Sequence, residues 1–336
     1  MSTRAVRTAY TTRPPAPTPG AGRRILGAVA IAATVPYLAL KTAWLSGSRI
    51  GIPDGSVLLE PGPFLIAANT ITLAMDASVL LLVLVLTRPW GIRVPAWLLA
   101  VPAFVATGLL TPIITAFPGQ LLIRALGFGA DPAVVAAREP FLDPWVFNVV
   151  YGGFVVQGLA LAALFVSYAR ERWGRLWQGV AGAGVHPDGV RGRLPSSTGV
   201  VAAASAPVGL AVAAAYAYWA FGGAAGLGAE RAAAHSAETG VVAVVHAMCA
   251  LAAVVGALLL ARGGGPRARW PLPLAWVGAG ATLTWGAWTL LASLGPQLDR
   301  GEGPSTAGLL AYAGQMITGS LAAVVLSRFL ISRSEG

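Results

Sequence analysis

The sequence predicts an all-α integral membrane protein: eight transmembrane helices arranged as a tandem, parallel 4+4 repeat, with both termini on the cytoplasmic side. Three observations carry this expectation. Of 336 residues, 56% are hydrophobic and only 11% charged, with a mean hydropathy of +0.70, where a soluble domain carries about 25% charged residues. Eight apolar runs reach the roughly 20 residues that a helix needs to cross a bilayer. The second half of the chain also restates the first.

Residues 1–24, with "TTRPPAPTPGAG", are basic and rich in Pro and Thr, and this composition predicts a disordered cytoplasmic tail. The run at 25–45 is longer than the ~7–15 residues of a signal-peptide core, and further spans follow it, so it reads as the first transmembrane helix. The other spans fall at 63–87, 95–117, 145–168, 198–222, 238–262, 273–293 and 307–331. This makes 25–168 the first four-helix repeat, 169–197 a cytoplasmic linker and 198–333 the second repeat.

Arginine sets the orientation. Counting Arg262 and Arg328 at the span ends with them, the tail, the connections 88–94, 169–197 and 263–272, and the C-terminus hold 17 of the 23 basic residues. The outer connections hold Arg49, Arg124, Arg138, Arg231 and Arg300, and Lys41 lies within the first span. Nine of thirteen acids (Asp54, Glu60, Asp131, Glu139, Asp143, Glu230, Glu238, Asp299 and Glu302) fall outside. The net charge of +10 is therefore an orientation signal and a basis for contact with anionic lipid at the cytoplasmic face; no nucleic-acid partner is needed to explain it. Trp44, Trp145 and Trp219 at outer ends, with Trp90, Trp97, Trp173 and Trp270 at inner ends, form the expected interfacial belts. "RERWGRLWQGV" in the 169–197 linker predicts a short interfacial helix, and the same stretch is a candidate docking site for a protein partner.

The repeat is read from four matches in order. "AMDASVLLLVLVLTR" (74–88) is echoed by "AMCALAAVVGALLLAR" (247–262), and "PAW" (95–97) by "PLAW" (273–276). "YGGFVVQGLALAALFVSYARER" (151–172) aligns without gaps on "YAGQMITGSLAAVVLSRFLISR" (312–333), and "KTAWLSG" (41–47) faces "YAYWAFG" (216–222). An even number of spans per unit makes the repeat parallel, with its axis along the membrane normal. "YWAFGGAAGLGAE" (218–230) resembles the W-A-x-G-G-x-x-G-L stretch of a family of small four-helix bacterial membrane proteins of unknown function, and "AWLSGSRIGIP" (43–53) is a worn copy of it. With "PYLALKTAW" in its first span, the full chain resembles uncharacterised actinobacterial multi-pass proteins. That resemblance implies a fold unit and no activity.

The candidate site is a polar stripe on span 2. Asn69, Thr72 and Asp76 lie on one helix face, and a carboxylate at bilayer depth costs at least ~2.5 kcal/mol, so the stripe should face the bundle interior. At 1.5 Å per residue Asp76 lies ~18 Å below the outer edge, Lys41 ~6 Å and His246 ~12 Å. On these depths His246 is preferred to Lys41 as the partner of Asp76. A protonated Asp76 bonded to Asn69 or Thr72 on its own helix is the plain structural alternative, and His246 alone reads first as an interior histidine. The Tyr312, Gln315, Gly319 face reads as a packing seam, and Tyr151/Gly158 likewise. His186 and His235 are loop residues.

The lone Cys249 excludes a disulfide and a thiolate metal site. No HExxH, CxxC, P-loop or GxSxG pattern occurs, so no catalytic residue, metal or cofactor is predicted. Three classes of function remain. The first is a non-catalytic membrane component such as a partner subunit, sensor or immunity protein. The second is a small transporter or exporter using Asp76 as a proton or cation site. The third is a membrane enzyme acting on lipid or quinone with Asp76 and His246 as acid and base.

Overall fold

The computed structural model describes residues 20–59, 62–130, 141–177, 196–262, 270–293 and 303–334. Eight long helices account for most of them: α1 (Ala21–Leu45), α2 (Pro63–Thr87), α3 (Ala96–Ala125), α4 (Pro144–Trp177), α5 (Ser196–Ala220), α6 (Ala237–Ala261), α7 (Pro271–Ser293) and α8 (Thr306–Ser334). Without water, backbone groups must be satisfied within each segment, and helices do this. Proline opens α2, α4 and α7, where its missing N–H costs nothing. A reciprocal capping box of Ser236 and Thr239 opens α6.

Seven of the eight are long and apolar enough to cross a membrane, so the chain is an all-helical protein of multi-pass character. The one outside that set is α7, whose Trp276, Trp285, Trp288, three threonines and glycines dilute its hydropathy. Its position explains the composition. From Pro271 to Leu290 no residue of α7 is exposed, because α3, α6 and α8 cover it. A helix shielded from lipid need not be uniformly apolar.

Three predicted boundaries move. Helix α1 begins at Ala21, so Ala21–Arg24 belong to its first turn and not to the tail; residues 1–19 lie outside the described residues. Pro118 and Gly119 do not end α3, which runs eight residues past the expected 117, since prolines are tolerated in bilayer-embedded helices. The start of the expected 169–197 linker continues α4 to Trp177, with a break at Trp173 (φ −123°, ψ 20°). Residues 178–195 of that linker, including His186, lie outside the described residues, as do Glu60, Asp131, Glu139, Asp299, Glu302, Arg138 and Arg300. The linker's last two residues open α5.

Within residues 20–177, α1 packs on α2 and α4, α3 packs on α4, and α2 touches α3 and α4 more lightly. Within 196–334, α5 packs on α6 and α8, α7 packs on α6 and α8, and α6 touches α8. The two sets meet where α3 packs on α6 and α7. A guanidinium cluster ties one end of the first set. Arg23 donates to the Leu86 carbonyl and to Glu171, each at 2.7 Å. Arg172 donates to Tyr168 and to the Val94 carbonyl, and Tyr168 donates to the Gly91 carbonyl at 2.9 Å.

The junctions after α1 and α5 have the same conformation. Trp44 Nε1 donates to the Ile50 carbonyl at 2.8 Å, and Trp219 Nε1 to the Ala225 carbonyl at 3.1 Å, six residues on in both. Gly47 and Gly222 share φ +87°, and Gly51 and Gly226 follow at +72° and +80°. The Gly51 carbonyl then accepts from Asp143 N, just before α4, and the Gly226 carbonyl from Ser305 Oγ, just before α8. Nothing lies within 4 Å of a Cβ built on Gly47, whereas one on Gly51 would lie 2.3 Å from Val146 Cγ2. Thermal unfolding in detergent should therefore show Gly47→Ala losing about 1–2 kcal/mol, the left-handed penalty alone, and Gly51→Ala losing more. Equal losses would mean that the Val146 contact does not matter.

Candidate functional site

The stripe on α2 faces inward. Asp76 is 8% exposed, and Asn69 and Thr72 are half-buried above it. From α1, Lys41 Nζ donates to Asn69 Oδ1 at 2.6 Å and lies 5.2 Å from the ring centroids of both Tyr37 and Trp44. One turn below Lys41, the Tyr37 hydroxyl lies against Thr72. Thr72 returns its own proton to the Ala68 carbonyl at 3.0 Å. At the bottom of the stripe, the Gln157 side chain comes in from α4 beside Asp76. The result is a polar track of three turns, Lys41/Asn69, then Tyr37/Thr72, then Asp76/Gln157, running inward from the end of α1.

Lys41 is the cation that shares this polar track with Asp76. The two are not in contact: the ion pairs among the described residues are Arg23–Glu171 and Arg124–Glu238. Depth arithmetic had set Lys41 aside because its stem cannot span ~12 Å. Charges do not need contact where water is excluded, since Coulomb energy falls only as 1/r and the dielectric is low.

His246, the expected partner, is elsewhere. Its Nδ1 lies 3.3 Å from Gln315 Nε2, which donates to it when the ring carries its proton on Nε2. Tyr216 donates to Gln315 Oε1 at 3.3 Å, and the Tyr216 and Trp285 rings lie 5.1 and 5.6 Å from the imidazole. The expected His246–Asp76 contact is thus replaced by a neutral cluster of α5, α6, α7 and α8. Depth along a helix gives no azimuth, and α2 and α6 belong to sets joined through α3. The Tyr312, Gln315, Gly319 face does pack, but its glutamine also serves this cluster. Around Tyr151 the packing is aromatic, with Phe117 stacked at 5.6 Å and Phe154 edge-on at 6.3 Å.

Gln157 escaped the sequence reading, although an amide inside "YGGFVVQGLALAAL" is itself a signal. It is 1% exposed, and its amide is directed at the Asp76 carboxyl, although neither Oε1 nor Nε2 completes a hydrogen bond of full geometry. An orphaned buried amide costs about 1–3 kcal/mol, so its place beside Asp76 calls for a reason. In the matched segments Lys41, Asp76 and Gln157 stand against Tyr216, Cys249 and Thr318, so the charged members occur in one set only. Among the described residues no three His, Cys, Asp or Glu side chains gather as a metal would require. Comparison with known proteins gives no match: no family model, no curated protein and no solved structure is similar to this chain.

Proposed function

We propose that the protein is a non-catalytic component of the bacterial inner membrane, a partner subunit, sensor or immunity protein, built as two parallel four-helix repeats with both termini in the cytoplasm. The observation that carries this reading is the closed surface between the repeats. A Cβ on Gly108 of α3 would lie 2.4 Å from the Gly280 carbonyl oxygen of α7. Trp276 packs edge-on against Phe104 at 5.2 Å and stacks on Phe165 at 5.5 Å along the same surface. A transporter of parallel repeats places its ionisable site at the repeat interface; here Lys41 and Asp76 lie inside one repeat, and the interface is filled by aromatic rings and backbone, with the Arg124–Glu238 ion pair at one end of it. The repeat itself is supported by the matched junctions of Trp44 and Trp219 and by the equivalent order of helix neighbours in the two sets.

One observation favours transport as a second reading. Gln157, orphaned beside Asp76 at the end of a polar track, is where a hydrated proton or small cation would rest. Proteoliposomes loaded with dyes sensitive to pH, sodium or potassium separate the two. The first reading expects no proton, sodium or potassium flux above that of protein-free vesicles. Flux that Asp76→Asn abolishes would replace it with the second. Topology is checked in a Cys249→Ala background. The exposed Ser48→Cys should react with an impermeant thiol reagent on intact cells and Arg88→Cys should not; the reverse pattern would invert the orientation.

A further inference from the structure

The two four-helix sets differ at one edge. Between α6 and α7 the backbones meet: a Cβ on Gly256 would lie 2.5 Å from Ala275 N, and one on Gly278 would lie 2.3 Å from Ala253 N. The matched positions on α2 and α3 hold Val83 and Leu99, both 1% exposed. These larger side chains pack with Leu82 and Leu86 and wedge the two helices apart. A cleft of about 60 Å³ remains between α2, α3 and α4, walled by Leu86, Ala103, Ala106, Leu110, Gly158 and Leu161. Thr107 and Thr111 also line it, but their hydroxyls are spent on the Ala103 and Thr107 carbonyls at 2.7 and 2.6 Å. The wall is mainly apolar.

Its mouth is charged. Leu86 stands two residues before Arg88, and the turn that follows, Pro89–Arg93, carries Arg93 and the exposed side chains of Trp90 and Ile92. Trp97, 68% exposed, opens α3 beside them. Arg88 and Arg93 are exposed and join none of the ion pairs among the described residues. Two guanidiniums in no ion pair among the described residues, flanked by exposed tryptophans and two residues from the Leu86 wall of a mainly apolar cleft, match a phosphate head with a hydrocarbon tail.

We propose that an anionic phospholipid binds here, its phosphate held by Arg88 and Arg93 and one acyl chain lying in the α2/α3/α4 cleft. The site sharpens general attraction to anionic lipid into a defined position, and it does not depend on the functional reading above. Among the described residues of the second set, Gly256 and Gly278 bring α6 and α7 together at the corresponding edge.

Native mass spectrometry of the full chain in detergent tests the site with phosphatidylglycerol, phosphatidylcholine and dihexanoyl phosphatidylglycerol. A charge-assisted hydrogen bond to the phosphate is worth at least about 1 kcal/mol, roughly fivefold, so Arg88→Gln/Arg93→Gln should lower retention of long-chain phosphatidylglycerol about 30-fold. Arg24→Gln/Arg262→Gln removes equal charge from exposed positions and should leave it unchanged. Ala106→Leu, which fills the cleft, should lower long-chain retention with the arginines intact. Equal losses in the two arginine doubles, equal retention of phosphatidylcholine, or equal binding of the dihexanoyl lipid would overturn the proposal. The last outcome would mean that the arginines bind phosphate alone.

Discussion

Replacing Gly108 with leucine should lower the stability of the protein by about 3 kcal/mol or more, at the severe end for overpacked sites. A side chain there enters the Gly280 backbone, with the carbonyl carbon at 2.5 Å and the Thr284 hydroxyl at 2.6 Å. None of these is the yielding tip of a long chain, so α3 and α7 must move apart. Movement also breaks what surrounds them: Trp285 Nε1 donates to the Leu109 carbonyl at 3.0 Å, and Trp276 Nε1 to Thr107 at 3.4 Å. Close approach of small residues is the main source of helix association in lipid, where no hydrophobic force drives helices together. Gly152→Leu is the control, since nothing lies within 4 Å of a Cβ at that site, and it should change stability by less than about 0.5 kcal/mol. Thermal unfolding in detergent would read both. Equal effects would show that the α3–α7 contact does not hold the two four-helix sets together.

The second large effect concerns charge. Asp76→Leu leaves Lys41 with Asn69 and two aromatic faces but no anion, and Lys41→Met leaves a buried carboxylate without its cation. Removing one member of such a pair typically costs about 3–5 kcal/mol. Here separation and the partial exposure of Lys41 reduce that to roughly 2 kcal/mol for each single change. The double variant Lys41→Met/Asp76→Leu should recover at least ~1 kcal/mol relative to the sum, because no uncompensated charge remains. The matched residues Tyr216 and Cys249 show that a neutral pair can occupy the corresponding positions. Strict additivity in the cycle would mean that the two charges do not act on each other.

The helices were largely legible because lipid imposes a simple rule on length and polarity. The inward stripe of Asn69, Thr72 and Asp76 was legible for a related reason: a carboxylate facing hydrocarbon is too costly to keep. The partner was not, since spacing along α2 and α6 gives depth while Lys41 and His246 differ in direction. The continuation of α3 to Ala125 was hidden because bilayer thickness sets the length a span needs and not the length a helix can have. The low hydropathy of α7 makes sense only once α3, α6 and α8 are seen around it. Gln157 was visible as a letter, but its missing hydrogen bonds exist only in three dimensions.

The indole latches bear on how the protein is made. Trp44 closes on Ile50 within a stretch of seven residues, so this turn can form as soon as it leaves the insertion machinery, with no help from later helices. The Gly51 carbonyl is different: its donor, Asp143 N, is synthesised 92 residues later. The first hairpin therefore waits, shaped but not fastened, until the fourth helix arrives, and the second set repeats the sequence with Trp219, Gly226 and Ser305. Assembly on this timetable proceeds in two instalments, each completed by its own last helix. The contact of Gly108 with Gly280 can form only after α7 has entered, so the joint between the two instalments closes late in biogenesis.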